Sequence, residues 1–260
     1  FLGAHIIAGM GKLEKLGVAS AADRQARTDL AAAFRLAVRM DLHEGVCNHF
    51  TLMLPDGKRF LLNAYGLHWS EVTASNLLAL DEKGNVLEGE GEAEKTAFYI
   101  HSRIHLANPK AACVLHTHMP YATALTLTEP GRLEMVEQNA LRFADDIAYD
   151  DIYNGLVVDD AEGDRLARVL GDRRVLFLAN HGVIVVGPTV AEAYDLMYYL
   201  ERACRLQVLA RSTGLPLRKV RPEVVRETYR MILADTPKYA GAHFGALKRL
   251  LDRDEPDYAR

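Results

Sequence analysis

Stretches whose apolar positions recur with a helical period alternate along this chain with short apolar runs bounded by turn residues. Residues 20–42 open as a helix: Ser20 is placed to cap it, Asp23 lies three positions on, Ala, Leu, Phe and Val fill one face, and Gly45 follows the end. The runs 49–54 and 58–64 flank Pro55-Asp56-Gly57 and read as a hairpin; 76–80 and 86–89, across Asp81-Glu82-Lys83-Gly84-Asn85, read as another. A helix over 95–107 stops at Asn108-Pro109, because the residue before a proline is disfavoured in the helical region. Residues 111–118 form an apolar strand whose last residues turn polar. Short helices are expected at 120–128 and 160–170, with an irregular polar and aromatic segment, 133–155, between them. The strands 174–179 and 183–187 flank the tight turn Asn180-His181-Gly182. Thr189 and Glu192 form a capping box for a helix that runs to about Ser212, and two further helices, 222–233 and 240–252, close the chain. Hairpins flanked by helices predict an α/β fold with a mixed, largely antiparallel sheet covered on both faces.

No repeat, low-complexity tract or Pro/Gly/Ser linker interrupts this pattern, so one domain is expected over 1–260, with a core at about 20–212 and C-terminal helices within 222–252. The composition adds exclusions. With 49% hydrophobic and 25% charged residues, disorder is not the main state. A net charge of −4 and the lack of long Lys/Arg runs remove the electrostatic footprint of a nucleic-acid binder. No apolar run approaches about 18 residues, so no membrane span is expected. Cys47, Cys113 and Cys204 are scattered and odd in number, which suits a reducing cytoplasm better than a disulfide framework. Residues 1–10 lack the basic start and cleavage site of a secretory leader, and none is expected.

The chemistry lies in the histidines. Ten histidines in this length give about 0.4 chance His-x-His pairs, so His116-Thr117-His118 is weak evidence by count alone. Its position strengthens it: at i and i+2 of a strand the two rings share a face at the polar end of an apolar run. His181 sits in a turn between two very apolar strands. On adjacent strand ends, three neutral imidazoles would make a tridentate site with open positions, as a catalytic metal needs. The bland alternative is three hydrogen-bonded structural histidines, since periodicity does not make those strands neighbours. His101 and His105 share a helix face but lack the acid of an HExxH motif, and read as helix-packing or ligand-supporting residues. His68, beside the only tryptophan, has structural and substrate-facing roles equally open. No nucleophile elbow, Walker A or GxGxxG occurs. The glutamates at 88, 90, 92 and 94 read as a solvated loop from which one could supply a base.

Several of these residues together resemble the class II aldolase/adducin family: Asn48 after a small turn, Tyr65-Gly66, the stretch from Ala97 to Ala124 with its two histidines, Leu178-Ala179-Asn180-His181-Gly182, and the helix after Thr189. The resemblance covers roughly 20–212. The family includes sugar-phosphate aldolases, a pentulose-phosphate epimerase and the head domain of adducin. It implies a three-layer α/β/α sandwich, usually a C4 tetramer with active sites between subunits. It also implies a divalent metal on His116, His118 and His181, Zn2+ first, with Mn2+, Fe2+, Co2+ or Ni2+ open. The wording at 97–98, 137–143 and 147–149 is closer to the adducin-like bacterial branch.

The departures matter as much. The aldolases carry a carboxylate base 19 residues before the first metal histidine; here that position is Ala97, and the nearest acid is Glu94. Their phosphate-binding Thr-Gly turn and Ser-Ser pair are matched here by Tyr65-Gly66 and Lys95-Thr96. A phenol crowds a phosphate cup, and a lysine suits a carboxylate. The expected function is therefore a metal-dependent carbon–carbon lyase, aldolase- or decarboxylase-like, that acts on a small hydroxy- or keto-carboxylic acid through a metal-stabilised enolate. Its expected residues are Glu94 as base, Tyr149 or Tyr153 as proton donor, and Asn48, Gly66, His68, Lys95 and Thr96 as substrate contacts. The alternatives are a non-catalytic interaction module like the adducin head, or a non-haem metal oxygenase on the same scaffold.

Overall fold

A computed structural model describes residues 20–260, so the expectation about residues 1–10 lies outside the described residues. The chain runs α1 (Ala21–Arg39), β1 (His49–Met53), β2 (Phe60–Leu62), β3 (Leu78–Leu80), β4 (Val86–Glu88), α2 (Lys95–Ala107), β5 (Cys113–Thr117), α3 (Pro120–Thr126), β6 (Ile147–Asp150), α4 (Asp160–Leu170), β7 (Val175–Leu178), β8 (Gly182–Gly187), α5 (Val190–Arg211) and α6 (Pro222–Asp254). The helices start where their side chains cap them. Ser20 Oγ accepts from Asp23 N at 3.0 Å, and Thr189 Oγ1 accepts from Glu192 N at 3.1 Å.

The eight strands form one sheet in the order β4-β3-β2-β1-β5-β8-β7-β6. Every neighbouring pair is antiparallel except β6–β7. Alternation along the central strands divides the core between the two faces. Val114, Ile184, Val186, Leu176 and Leu178 pack with Ile100 and Ile104 of α2 and Leu166 and Leu170 of α4. Cys113, Leu115, Val183 and Val185 face the other way, into a larger cluster with α1, α3, α5 and α6. The three-layer α/β/α sandwich is thus present. No helix among the described residues is long and apolar enough to cross a membrane.

Two expectations are corrected. The helices expected at 222–233 and 240–252 are one 33-residue helix, α6, with Pro237 inside it. A proline in a helix interior costs about 3 kcal/mol. Beyond it, Ala240, Phe244, Leu247 and Leu251 are buried, and this packing outweighs the local penalty. Within the segment read as irregular, Ile147–Asp150 forms β6, the edge strand parallel to β7. It escapes periodicity because it is mostly half-buried and ends in Asp150, whose carboxylate is held by Arg165 at 2.8 and 2.6 Å.

The α2–α4 layer depends on one close approach. A Cβ at Gly163 of α4 would lie 2.3 Å from Tyr99 O and 2.7 Å from Arg103 Cγ, so only glycine lets the two helices meet. Gly163→Ala is expected to destabilise the protein by about 1–3 kcal/mol through overpacking. Gly241→Ala, in the exposed part of α6 with nothing within 4 Å of the new Cβ, should stabilise it by about 0.5–1 kcal/mol. Urea unfolding of both variants checks the opposite signs.

Candidate metal centre

The site is built where β5 ends and β8 begins. These strands pair antiparallel with His116 opposite Ile184 and Thr117 opposite Val183. The polar end of β5 therefore lies beside the turn that leads into β8. Asn180 adopts φ 57°, a left-handed conformation that asparagine tolerates better than most residues, and its N–H donates to Thr126 O at 3.1 Å. His181 N–H donates to Leu178 O at 3.1 Å and closes the turn. At Gly182 a Cβ would lie 2.6 Å from Thr117 O and 2.8 Å from His118 Cδ2. The turn sequence is thus dictated by a sharp reversal and by contact with the His116–His118 segment.

This arrangement brings His116, His118 and His181 together. One ligand nitrogen from each lies within 4.8 Å of the others, and the ring centroids are 4.8 to 5.1 Å apart. Each of the two β5-side rings has one nitrogen already engaged. His116 Nδ1–H donates to Val183 O at 3.0 Å, which leaves Nε2 with its lone pair. His118 Nδ1 pairs with the Glu44 carboxylate, and its Nε2 is buried without a partner. A carboxylate or carbonyl on the far nitrogen of an imidazole fixes its tautomer and raises its basicity toward a metal. Burial, then the neighbouring His49 and His181, holds His116 well below the usual histidine pKa; burial and His118 push His181 down to about 4. Both rings are neutral at pH 7, as ligands must be. The donor set, its spacing and the orphaned His118 Nε2 fit a divalent cation.

Of the other expected residues, Asn48 and Tyr153 touch this group. Asn48 is buried; its Oδ1 accepts from His118 N at 3.3 Å and its Nδ2 has no partner. Tyr153 is half exposed with its ring centroid 6.3 Å from that of His181. Tyr149 is turned elsewhere: its hydroxyl accepts from Leu133 N at 3.2 Å, Arg132 lies over its ring, and burial pushes its pKa up to about 12. Glu94 caps α2, its Oε2 accepting from Ala97 N at 2.7 Å and from the Thr96 hydroxyl. Burial opposes ionisation of Glu94, but hydrogen bonds from the Thr96 hydroxyl and from the Ala97 and Thr96 N–H groups outweigh it and hold the carboxyl below its ordinary value. Lys95 is exposed at the first position of α2. Ala97 is fully buried among Phe60, Leu62, Leu78 and Leu80. The Tyr65-Gly66 turn is tied to the same region, Tyr65 N–H donating to Glu92 O at 2.8 Å.

His68 has a structural contact. It caps the short 3-10 turn at Trp69–Glu71, and its Nε2 lies 3.2 Å from His43 Nε2. Sequence reasoning missed Glu44, 74 positions before His118, because nothing local marks it. It also left His49 unassigned. His49 pairs with His116 across β1 and β5 and bonds to His101, so the pair read on the α2 face lies behind the metal group rather than in it.

A model of the Class II Aldolase and Adducin N-terminal domain matches residues 28–208. The chain belongs to this family. Over 94% of its length it is 34% identical to a Caulobacter vibrioides protein provisionally named an aldolase class 2 protein, 95% of which is covered. It is 34% identical to mouse alpha-adducin over 70% of its length, but covers a quarter (25%) of that longer protein. An aldolase II superfamily protein from Pseudomonas syringae superposes with a TM-score of 0.87 at 33% identity, covering 93% of this chain and 98% of that one. L-fuculose 1-phosphate aldolase from Glaciozyma antarctica shares the fold, with a TM-score of 0.81 at 23% identity over 95% of this chain and 96% of its own.

Protein purified without chelator is expected to hold close to one divalent metal ion per chain by elemental analysis. His116→Ala should abolish it, and Glu44→Gln should weaken zinc affinity by about tenfold or more in a chelator competition.

Proposed function

We propose that the chain is a divalent-metal-dependent carbon–carbon lyase, aldolase- or decarboxylase-like, whose substrate is a small hydroxy- or keto-carboxylic acid. The observation that carries this reading is the His116–His118–His181 group, with a buried and partnerless Nε2 on His118. A structural trio of histidines would have that nitrogen bonded, because an unsatisfied buried polar atom costs about 1–3 kcal/mol. A cation held by these three rings would supply Lewis acidity to the oxygen on which charge develops as a carbon–carbon bond breaks. Zinc is the first choice, since three imidazoles suit it and leave an open position.

Around that position the chain's own groups take separable roles. Tyr153 is the proposed proton donor, because its ring lies near His181, whereas burial pushes the Tyr149 phenol up to about 12 and makes it the weaker acid. Glu94 Oε1 is the proposed base, although the low pKa of this carboxyl makes it a weak one. The buried methyl of Ala97, at the position that the resemblance matches to the aldolase base, supports a substrate other than a sugar phosphate. Asn48 Nδ2 is a buried donor free to bind a substrate oxygen. Lys95 and Thr96 at the start of α2, with the Tyr65-Gly66 turn, are proposed to receive the carboxylate.

The decisive assay runs both substrate classes on zinc-loaded protein. Turnover of a small carboxylic acid with an adjacent hydroxyl or keto group is expected. Cleavage of fuculose or ribulose phosphate with kcat/KM above about 10⁴ M⁻¹s⁻¹ would overturn the reading. Lys95→Ala should raise KM for the acid by about fivefold, the most that an exposed ion pair is worth.

The exposed apolar residues Ile152, Leu156 and Val158, at 61%, 75% and 63% exposure, run beside Tyr153 after β6. We infer that they are covered by a neighbouring copy in a homotetramer that completes the site. Light scattering at micromolar protein should give about four times the 28.9 kDa chain mass, and a monomer would refute the assembly.

A further inference from the structure

Behind the metal group lies an unbroken chain of buried hydrogen bonds. His105 Nδ1 lies 2.7 Å from Ala111 O, and His105 Nε2 lies 2.8 Å from Thr51 Oγ1. Thr51 Oγ1 is 2.6 Å from His101 Nδ1, and His101 Nε2 is 2.8 Å from His49 Nδ1. One end of this chain is fixed, because a carbonyl oxygen only accepts, so His105 Nδ1 carries a proton. Burial keeps His105 neutral, with a pKa down at about 4, so its Nε2 has a lone pair. The remaining polarity then follows by elimination. Thr51 donates to His105 Nε2 and accepts from His101 Nδ1–H; His101 Nε2 accepts from His49 Nδ1–H; His49 Nε2 is bare. Four consecutive groups transmit the orientation of one backbone carbonyl to the edge of the site.

His49 Nε2 has no hydrogen-bond partner among the described residues, and unlike His118 Nε2 it is not sealed from solvent. His49 is opposite His116 in the sheet, with ring centroids 4.9 Å apart, yet its nitrogens lie outside the cluster of three ligand atoms. It would therefore stand beside a metal held by those three rings and not on it.

We propose that His49 Nε2 is a hydrogen-bond acceptor for a substrate hydroxyl, held in that tautomer by Thr51, His101 and His105 as positioning residues. This selects hydroxy acids over keto acids. The inference rests on the small-acid reading above and narrows it: a hydroxyl has a proton to donate into the bare nitrogen, whereas a carbonyl oxygen would meet it lone pair to lone pair.

The test is 15N NMR of histidine-labelled, zinc-loaded protein, with His49→Gln used to assign the His49 signals. The wild type should show His49 protonated on Nδ1 and bare on Nε2. Thr51→Val, close in shape but without the hydroxyl, should abolish this fixed tautomer, and Thr51→Ser should restore it. In titrations, lactate should bind about tenfold more tightly than pyruvate and move the His49 Nε2 resonance, and Thr51→Val should erase most of that preference. A proton on His49 Nε2 in the wild type, equal affinity for the two acids, or binding of neither would each overturn the proposal. The preceding reading fails separately, by absence of zinc from the three histidines, and the tautomer measurement on zinc-free protein remains valid in that case.

Discussion

The antiparallel pairing of β5 with β8 is the constraint on which the rest of the site depends. It places a His-x-His strand end against a reversal that contains a third histidine. The contact is close enough that Gly182 admits no side chain, since its Cβ would meet both Thr117 O and His118. A one-residue slip in this register would turn His116 to the opposite face of the sheet and break up the group. The apolar sequences on both sides of the turn, buried between two helical layers, hold that register and so hold the histidines.

Burial then sets the chemistry. Desolvation favours the neutral form of an imidazole, and here it acts on ligands and supporting rings alike. Burial lowers the pKa of His116 and His181, and equally of His49, His101 and His105, so all five rings favour the neutral form. The few charges admitted near the site have defined partners: Glu44 on His118, and Glu94 on the N-terminus of α2. The sheet separates the two functions. Its strand ends present the metal-type donors, and the face under α2 carries the wiring behind them.

The residues at which the resemblance implied a departure from the sugar-phosphate aldolases have defined surroundings. Ala97 sits in a fully apolar pocket where a carboxylate would be left without a partner. Glu94, three residues earlier, is occupied in capping the helix that Ala97 belongs to. The polar capacity on this side of the site lies instead in Asn48 and His49, next to each other at the start of β1.

Much of this was legible in the chain itself. Capping residues at Ser20 and Thr189 marked helix starts, apolar runs bounded by turn residues marked the strands, and His116, His118 and His181 stood out through their places at strand ends. These signals are local, and local physics suffices for them. The edge strand β6 and the continuity of α6 through Pro237 were not legible: β6 is mostly half-buried and defined by its pairing with β7, and in α6 burial against distant residues overrides the local preference. Nor could the sequence show which nitrogen of each histidine is free. That depends on Val183 O for His116, on Glu44 for His118 and on Ala111 O, through three intermediaries, for His49. A tautomer is a property of the hydrogen bond on the opposite side of the ring, and only the tertiary structure brings that partner into place.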